Sequence, residues 1–328
     1  MPKRQSALAV ASITLALFAL TSCQHSGTYY LISNNLKLPY WKTVNNGFTK
    51  AAIEYGVNAR LDGPDDYNAA AELDAFRKAV ASKPSGILIS VADAVTFRED
   101  IVNAVEAGIP VITVDSDAPT SARLFFIGTN NVAAGRVGGQ RLVDKLHGKG
   151  NIVFYTIPGQ PNLDERLRGY KETMADHPQM KIVDVLNVKG DPGIAFDQTK
   201  KYLAKTGADK IDAFVSLESS SGPAIADVLR DQHVTDRLLI AMDVGPDTLN
   251  HIQDGSIDAT VSQKPYTMGF VGLALLDQIH HHKPEHFQNN YVVDSFARYP
   301  TFVDTGTALV TKDNVSIYQE SAQKAQAQ

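Results

Sequence analysis

Short apolar runs recur along this chain, each followed by a longer segment whose apolar residues return every three or four positions. That alternation leaves few folds open. Tyr29-Tyr30-Leu31-Ile32-Ser33 reads as a strand, and the next segment sets Val44, Phe48, Ala51, Ala52 and Tyr55 on one helical face. A strand is expected over 57–61, then a helix with Ala69, Leu73, Phe76 and Val80 on one side. Further strands are expected over 86–90, 109–114, 152–155, 182–188, 211–216, 238–242 and 259–261, with helices between them. Regular strand–helix alternation predicts parallel sheets with helices on both faces. The strand runs are apolar almost without interruption, as sheets covered on both sides require. They are also too many for one doubly wound sheet, so the fold class is α/β with two Rossmann-like lobes. No short repeat period is present, which sets a solenoid aside. The pattern alone puts the lobe boundary near Thr129-Asn130-Asn131.

Four apolar runs end in a polar residue: Ser90, Asp115, Glu218 and Asp243. In open parallel sheets ligands bind in the crevice beyond the carboxyl ends of the strands. Any one such residue is also a good helix N-cap, but four at equivalent places, two in each half, point to a binding crevice.

Motifs for chemistry are missing. No Gly-x-Gly-x-x-Gly follows a strand; Gly135, Gly138 and Gly139 lie inside a helical pattern and suit close packing. There is no phosphate loop ending in Gly-Lys-Ser/Thr, no Gly-x-Ser-x-Gly elbow and no His-Glu-x-x-His pair. Ser219-Ser220-Ser221-Gly222 reads as a helix start rather than a nucleophile. His280, His281, His282 and His286 are metal-like in composition, but consecutive helical residues point in different directions. A solvated helix end beside Lys283-Pro284 is the reading, so no metal and no cofactor is expected. A formal net charge of −5, with no basic tract, argues against nucleic acid.

At the N-terminus Lys3 and Arg4 precede the uncharged run Ala7 to Leu20 and then Leu20-Thr21-Ser22-Cys23. A basic start, a short apolar run and small residues describe a secretory signal over 1–22. The run is short for a bilayer span, which takes about 20 apolar residues. Cys23, the only cysteine, ends a tetrapeptide that resembles a bacterial lipobox, with lipidation expected at its thiol. Two or more acyl chains would hold the protein at a membrane surface, at ~0.8 kcal/mol per buried methylene. Residues 23–28 read as a tether and 315–328 as a frayed tail.

With these residues in hand, the chain from about Tyr29 to Asn314 resembles the type I periplasmic binding proteins of the ribose/galactose-binding branch. Leu38-Pro39-Tyr40-Trp41 is similar to that family's ring-bearing loop, Val114-Asp115 to its strand-end aspartate, and Arg166-Leu167-Arg168-Gly169-Tyr170 to its Arg-x-x-Gly-aromatic helix start. Asp243 and Val261-Ser262-Gln263-Lys264-Pro265 match its second aspartate and hinge segment. The resemblance implies a ligand site of Tyr40, Trp41, Ser90, Asp115, Arg166, Glu218, Asp243 and Gln263, rings against the C–H face of a sugar and charged groups on its hydroxyls. It implies two lobes joined by a three-strand hinge: 29–129 with 264–291, and 130–263 with 292–314. The crossings would fall near Thr129-Asn130, Gln263-Lys264 and Tyr291–Asp294. It further implies a monomeric, non-enzymatic, exported lipoprotein that passes a sugar or polyol to an ABC permease, or hands its closed state to a membrane receptor. A lactose-repressor-type regulator shares the fold but needs a basic helix-turn-helix where this chain has an export signal; a hydrolase needs the missing elbow. Leu38 replaces the loop asparagine, and no third ring is evident near Asp191, with Phe196 out of register. Three carboxylates beside one guanidinium suit a hydroxyl-rich or cationic ligand and disfavour acidic sugars.

Overall fold

The computed structural model describes residues 27–284, 287 and 294–326. The chain begins with β1 (Thr28–Ile32), α1 (Pro39–Tyr55), β2 (Asn58–Asp62), α2 (Ala69–Ala81), β3 (Gly86–Ile89), α3 (Ala94–Glu106), β4 (Val111–Val114) and β5 (Phe126–Gly128). It continues with α4 (Asn131–Leu146), β6 (Lys149–Thr156), α5 (Pro161–Met174), β7 (Gln179–Asn187), α6 (Pro192–Leu203), β8 (Ala213–Ser216), α7 (Ser221–Asp231), β9 (Leu238–Met242), α8 (Pro246–Asp254) and β10 (Ala259–Ser262). Then come α9 (Pro265–His281), β11 (Phe302–Asp304), β12 (Ala308–Thr311) and α10 (Val315–Gln326).

These strands form two six-stranded sheets. The first has the order β11-β5-β4-β3-β1-β2 with every pair parallel. The second has the order β12-β10-β9-β8-β6-β7, parallel except for β12, which runs antiparallel on β10. Successive side chains of a strand face opposite sides, and each sheet is covered on both. On β1, Tyr29 and Leu31 enter one cluster while Tyr30 and Ile32 enter another. On β6, Val153 and Tyr155 are separated from Ile152 and Phe154 in the same way. Each such fully buried Leu, Ile or Phe contributes about 1.5–3 kcal/mol. The chain is therefore a pair of doubly wound α/β lobes.

The chain leaves the first sheet after β5 and the second after β10, and α9 packs back on α1. The third passage differs from the expected one near Tyr291–Asp294. Residues 291–293 lie outside the described ones, but β11 pairs with β5 in the first sheet and β12 with β10 in the second. The passage thus falls between Asp304 and Ala308, and residues 302–304, expected in the second lobe, extend the first. Phe302 stacks on Phe126 with centroids 5.2 Å apart, which anchors that edge strand. The expected frayed tail is also corrected. Its residues from Val315 form α10, held because Val315 is 1% exposed in the second lobe's core with Tyr318 packed beside it. Cys23 and the whole of 1–26 lie outside the described residues, as does His286.

Two helix pairs touch backbone to backbone at glycines. A Cβ on Gly135 would lie 2.0 Å from the Arg166 carbonyl oxygen, and one on Gly169 would lie 2.2 Å from that of Val132. Gly47 and Gly269 stand in the same relation between α1 and α9, each 2.0 Å from a carbonyl oxygen of the other helix. The helix starts that face the sheets' carboxyl ends are thereby fixed against one another.

Candidate functional site

Proline opens the helices that matter most at this edge. Pro39 starts α1 and Pro161 starts α5, each in the first turn, where its missing N–H costs no helical hydrogen bond. Pro39 delivers Tyr40 and Trp41 to the carboxyl edge of the first sheet. Pro161 delivers Asn162 and, one turn on, Arg166 to that of the second. Asp115 follows β4 and Asp243 follows β9, and both take left-handed backbones, with φ of 62° and 69°. Aspartate tolerates that region better than most residues. Their N–H groups donate to the next strand in matching fashion, to Ile127 O at 3.0 Å and Val261 O at 2.9 Å. The two lobes thus present the same device to each other.

Between the lobes lies a cavity of about 60 Å³. Of the expected residues, Tyr40, Trp41, Asp115, Arg166, Glu218, Asp243 and Gln263 all line it. Ser90 does not. It is 0% exposed, and the buried Val91 and Ala92 continue into the core, where Ser116 Oγ donates to Val91 O at 2.7 Å. Ser90 Oγ is itself buried with no protein partner among the described residues. Trp41 has two roles, since it lines the cavity yet is 2% exposed and packs with Leu31, Val114 and Met268.

The lining that sequence reasoning missed comes from loops and first helical turns: Asn34, Asn35, Tyr67, Gln160 and Asn162 among others. Asn34-Asn35 follows the first strand, so the strand-end rule would have found it. Asn162 precedes Arg166 by one turn of the same helix face, a spacing that was readable. Tyr67 carried no signal; it reaches the cavity from the first lobe and abuts Gly190 across it. Phe196 instead lies beneath the Lys200 ammonium, 4.0 Å from the ring centre.

The polar groups are tightly arranged. Asp115 accepts from Tyr40 Oη at 2.7 Å and, across the lobes, from Asn162 Nδ2 at 3.0 Å. Asp243 accepts from Gln263 Nε2 at 2.9 Å. Arg166, 2% exposed, donates to Leu217 O and to Asn131 Oδ1. Glu218 is largely committed as a cap of α7, accepting from the N–H groups of Ser220 at 2.7 Å and Ser221 at 2.8 Å. Its charge sits against a helix N-terminus, which favours an anion, so it weighs less on the cavity than three free carboxylates would. Burial pushes Asp243 up to about 7, with Asp115 and Glu218 adding to the rise and Arg166 and Gln263 opposing it. Burial also raises Asp115, against the Tyr40 hydrogen bond and Arg166. Tyr40 is held well above the ordinary phenol value by burial and by the two aspartates.

Among the described residues, three buried atoms in this lining have no protein partner: Asn35 Oδ1, Arg166 Nε and Gln263 Oε1. Buried polar atoms are rarely left so. Two acceptors and one donor converging with the aspartates fit a small molecule that offers both hydroxyl hydrogens and hydroxyl lone pairs. Among the described residues no group of three or more His, Cys, Asp or Glu could hold a metal ion.

A family model described as "Periplasmic binding protein domain" matches residues 29–284. The chain belongs to the periplasmic binding protein domain family. The ribose import binding protein RbsB of Salmonella typhimurium is 25% identical over 300 residues, covering 90% of this chain and 98% of its own. An arabinose binding protein, AraP, from Geobacillus stearothermophilus superposes with a TM-score of 0.73 at 30% identity, over 89% of this chain and 99% of that one. A structure titled "XylFII-LytSN complex" matches with a TM-score of 0.77 at 27% identity, over 88% and 98%. A periplasmic binding protein holds its ligand without transforming it, and this chain is accordingly a binding protein and not an enzyme.

Proposed function

We propose that this periplasmic binding protein captures a neutral monosaccharide or polyol between its two lobes and delivers it to an ABC importer. The observation that carries the reading is the pair Asp115 and Asp243, in matching left-handed turns and lining one cavity with Arg166, whose buried Nε has no acceptor among the described residues. A ligand hydroxyl can both donate to a carboxylate and accept from the guanidinium, and charge-assisted bonds of this kind are the stronger ones. Tyr40 and Trp41 supply rings for the ligand's C–H face. The sugars named for the relatives, ribose and arabinose, agree with this chemistry. Glu218 serves chiefly as a helix cap, so the site asks for hydroxyl donors without demanding a cation.

The ligand site is proposed as Tyr40, Trp41, Asp115, Arg166, Glu218, Asp243 and Gln263, to which the cavity adds Asn35, Tyr67 and Asn162. The two lobes hinge at the three chain passages, and the protein acts as a monomer. An export signal and acylation of Cys23 fix it on the outer side of a membrane, next to the permease it serves. A second reading, delivery of the loaded state to a membrane receptor, draws on the related structure described as the XylFII-LytSN complex. The cleft would be the same in both.

Thermal-shift screening of the purified protein against aldoses, polyols, amino sugars and sugar phosphates tests the ligand class. A ligand that binds only the folded state raises the melting temperature, by the equivalent of about 2.7 kcal/mol at a hundredfold excess over Kd. A shift with neutral sugars or polyols and none with sugar phosphates is expected. A shift with sugar phosphates alone would reject the proposal.

A further inference from the structure

The two strand-end aspartates are equivalent in backbone and place but not in occupancy. Asp243 gives one oxygen to Gln263 Nε2 at 2.9 Å, and its other oxygen receives no protein donor among the described residues. Asp115 has both oxygens engaged, Oδ1 by the Tyr40 hydroxyl at 2.7 Å and Oδ2 by Asn162 Nδ2 at 3.0 Å. A carboxylate offers about four acceptor positions, so Asp115 has fewer left for a ligand than its counterpart has. The Tyr40 hydroxyl is firmly placed. Pro39 fixes the start of its helix, Met268 Sδ lies 3.4 Å away, and the Trp41 ring meets the Tyr40 ring edge-on at 5.4 Å.

We propose that the Tyr40 hydroxyl takes the position of a ligand hydroxyl on Asp115, so that the site selects a sugar or polyol lacking a hydroxyl at that point. Tyr40 is then a specificity-determining residue as well as a stacking ring. The inference rests on the sugar reading above. The bound molecule turns its richer polar edge to Asp243 and Arg166 and its poorer edge to Asp115. Replacing tyrosine by phenylalanine removes one oxygen atom, and a ligand with one more hydroxyl restores it.

The test uses matched sugars on the purified chain and on Tyr40→Phe: ribose and 2-deoxyribose, glucose and 2-deoxyglucose, galactose and 6-deoxygalactose. Calorimetric titration gives the ratio of parent to deoxy affinity in each pair, and a melting curve verifies that the variant is folded. In the pair whose missing hydroxyl faces residue 40, the natural protein is expected to bind the deoxy member at least as well as its parent. Tyr40→Phe is expected to move the ratio at least about tenfold toward the parent, the scale of one hydrogen bond to a charged group. Ratios unchanged in every pair, in a folded variant that still binds sugar, would overturn the inference and leave the sugar reading intact. Absence of binding to these sugars and to their reduced polyols by either protein would overturn both.

Discussion

At the residue scale, the proposed ligand role of Asp243 conflicts with stability. In the unfolded chain an aspartate titrates near 3.9, whereas in the fold burial lifts Asp243 to about 7. The folded state therefore keeps a proton that the unfolded state releases at lower pH. The stability associated with it is fully present below about pH 4, declines as pH rises, and is lost above about pH 7. Asp115, raised by the same cause, acts in the same direction. Asp243→Asn is expected to stabilise the ligand-free protein at pH 8 while weakening sugar binding, with the advantage shrinking as pH falls toward 4. Melting curves from pH 4 to 8 check this, each kcal/mol recovered appearing as roughly 1–2 °C in a chain of this length. An advantage independent of pH would contradict the assignment. Most of the cavity lining was legible at this scale because a strand covered on both faces meets its first tolerable charge only where it leaves the sheet. Asp115, Glu218 and Asp243 follow that rule. Ser90 also ends its strand but is fully buried and outside the cavity lining. Tyr67 was not legible as a lining residue, since an aromatic group in a loop is ordinarily a cover; Asn162 was legible only through its one-turn spacing from Arg166.

At the scale of elements, the glycines at helix contacts transmit position to the site. Gly135 lets α4 approach the Arg166 backbone, and Asn131 on the same helix holds the Arg166 guanidinium at 2.6 Å. Gly135→Ala is expected to cost about 1–3 kcal/mol of stability, as overpacking does, and to weaken ligand binding by displacing Arg166. Gly245→Ala, where a Cβ would meet nothing within 4 Å, is the control expected to change neither by much. Denaturant unfolding and titration of both variants separate the outcomes. Such packing was readable in the sequence as small residues inside a helical pattern. The strands that escaped reading are β5, β11 and β12, three or four residues each. Segments that short carry too few side chains to show a period, and pairing with a neighbour decides them.

At the scale of the whole molecule, the alternation of strands and helices was enough for two doubly wound lobes, but not for the third passage between them. β11 and β12 are short and partly exposed and lie close together in sequence, so the pattern does not say which sheet each joins. The membrane attachment is tested outside the described residues: Cys23→Ser is expected to release the protein from membranes into the soluble fraction, and retention would contradict a thiol-linked anchor. The central claim is that one neutral sugar or polyol is held between the lobes by the aspartates and Arg166. Isothermal titration of the natural chain and Arg166→Ala with a sugar selected by thermal shift tests it most directly. One site per chain is predicted, with affinity at least about thirtyfold weaker in a folded Arg166→Ala, the scale on which truncating a buried hydrogen-bonded charge acts. An unchanged dissociation constant in that variant would contradict it.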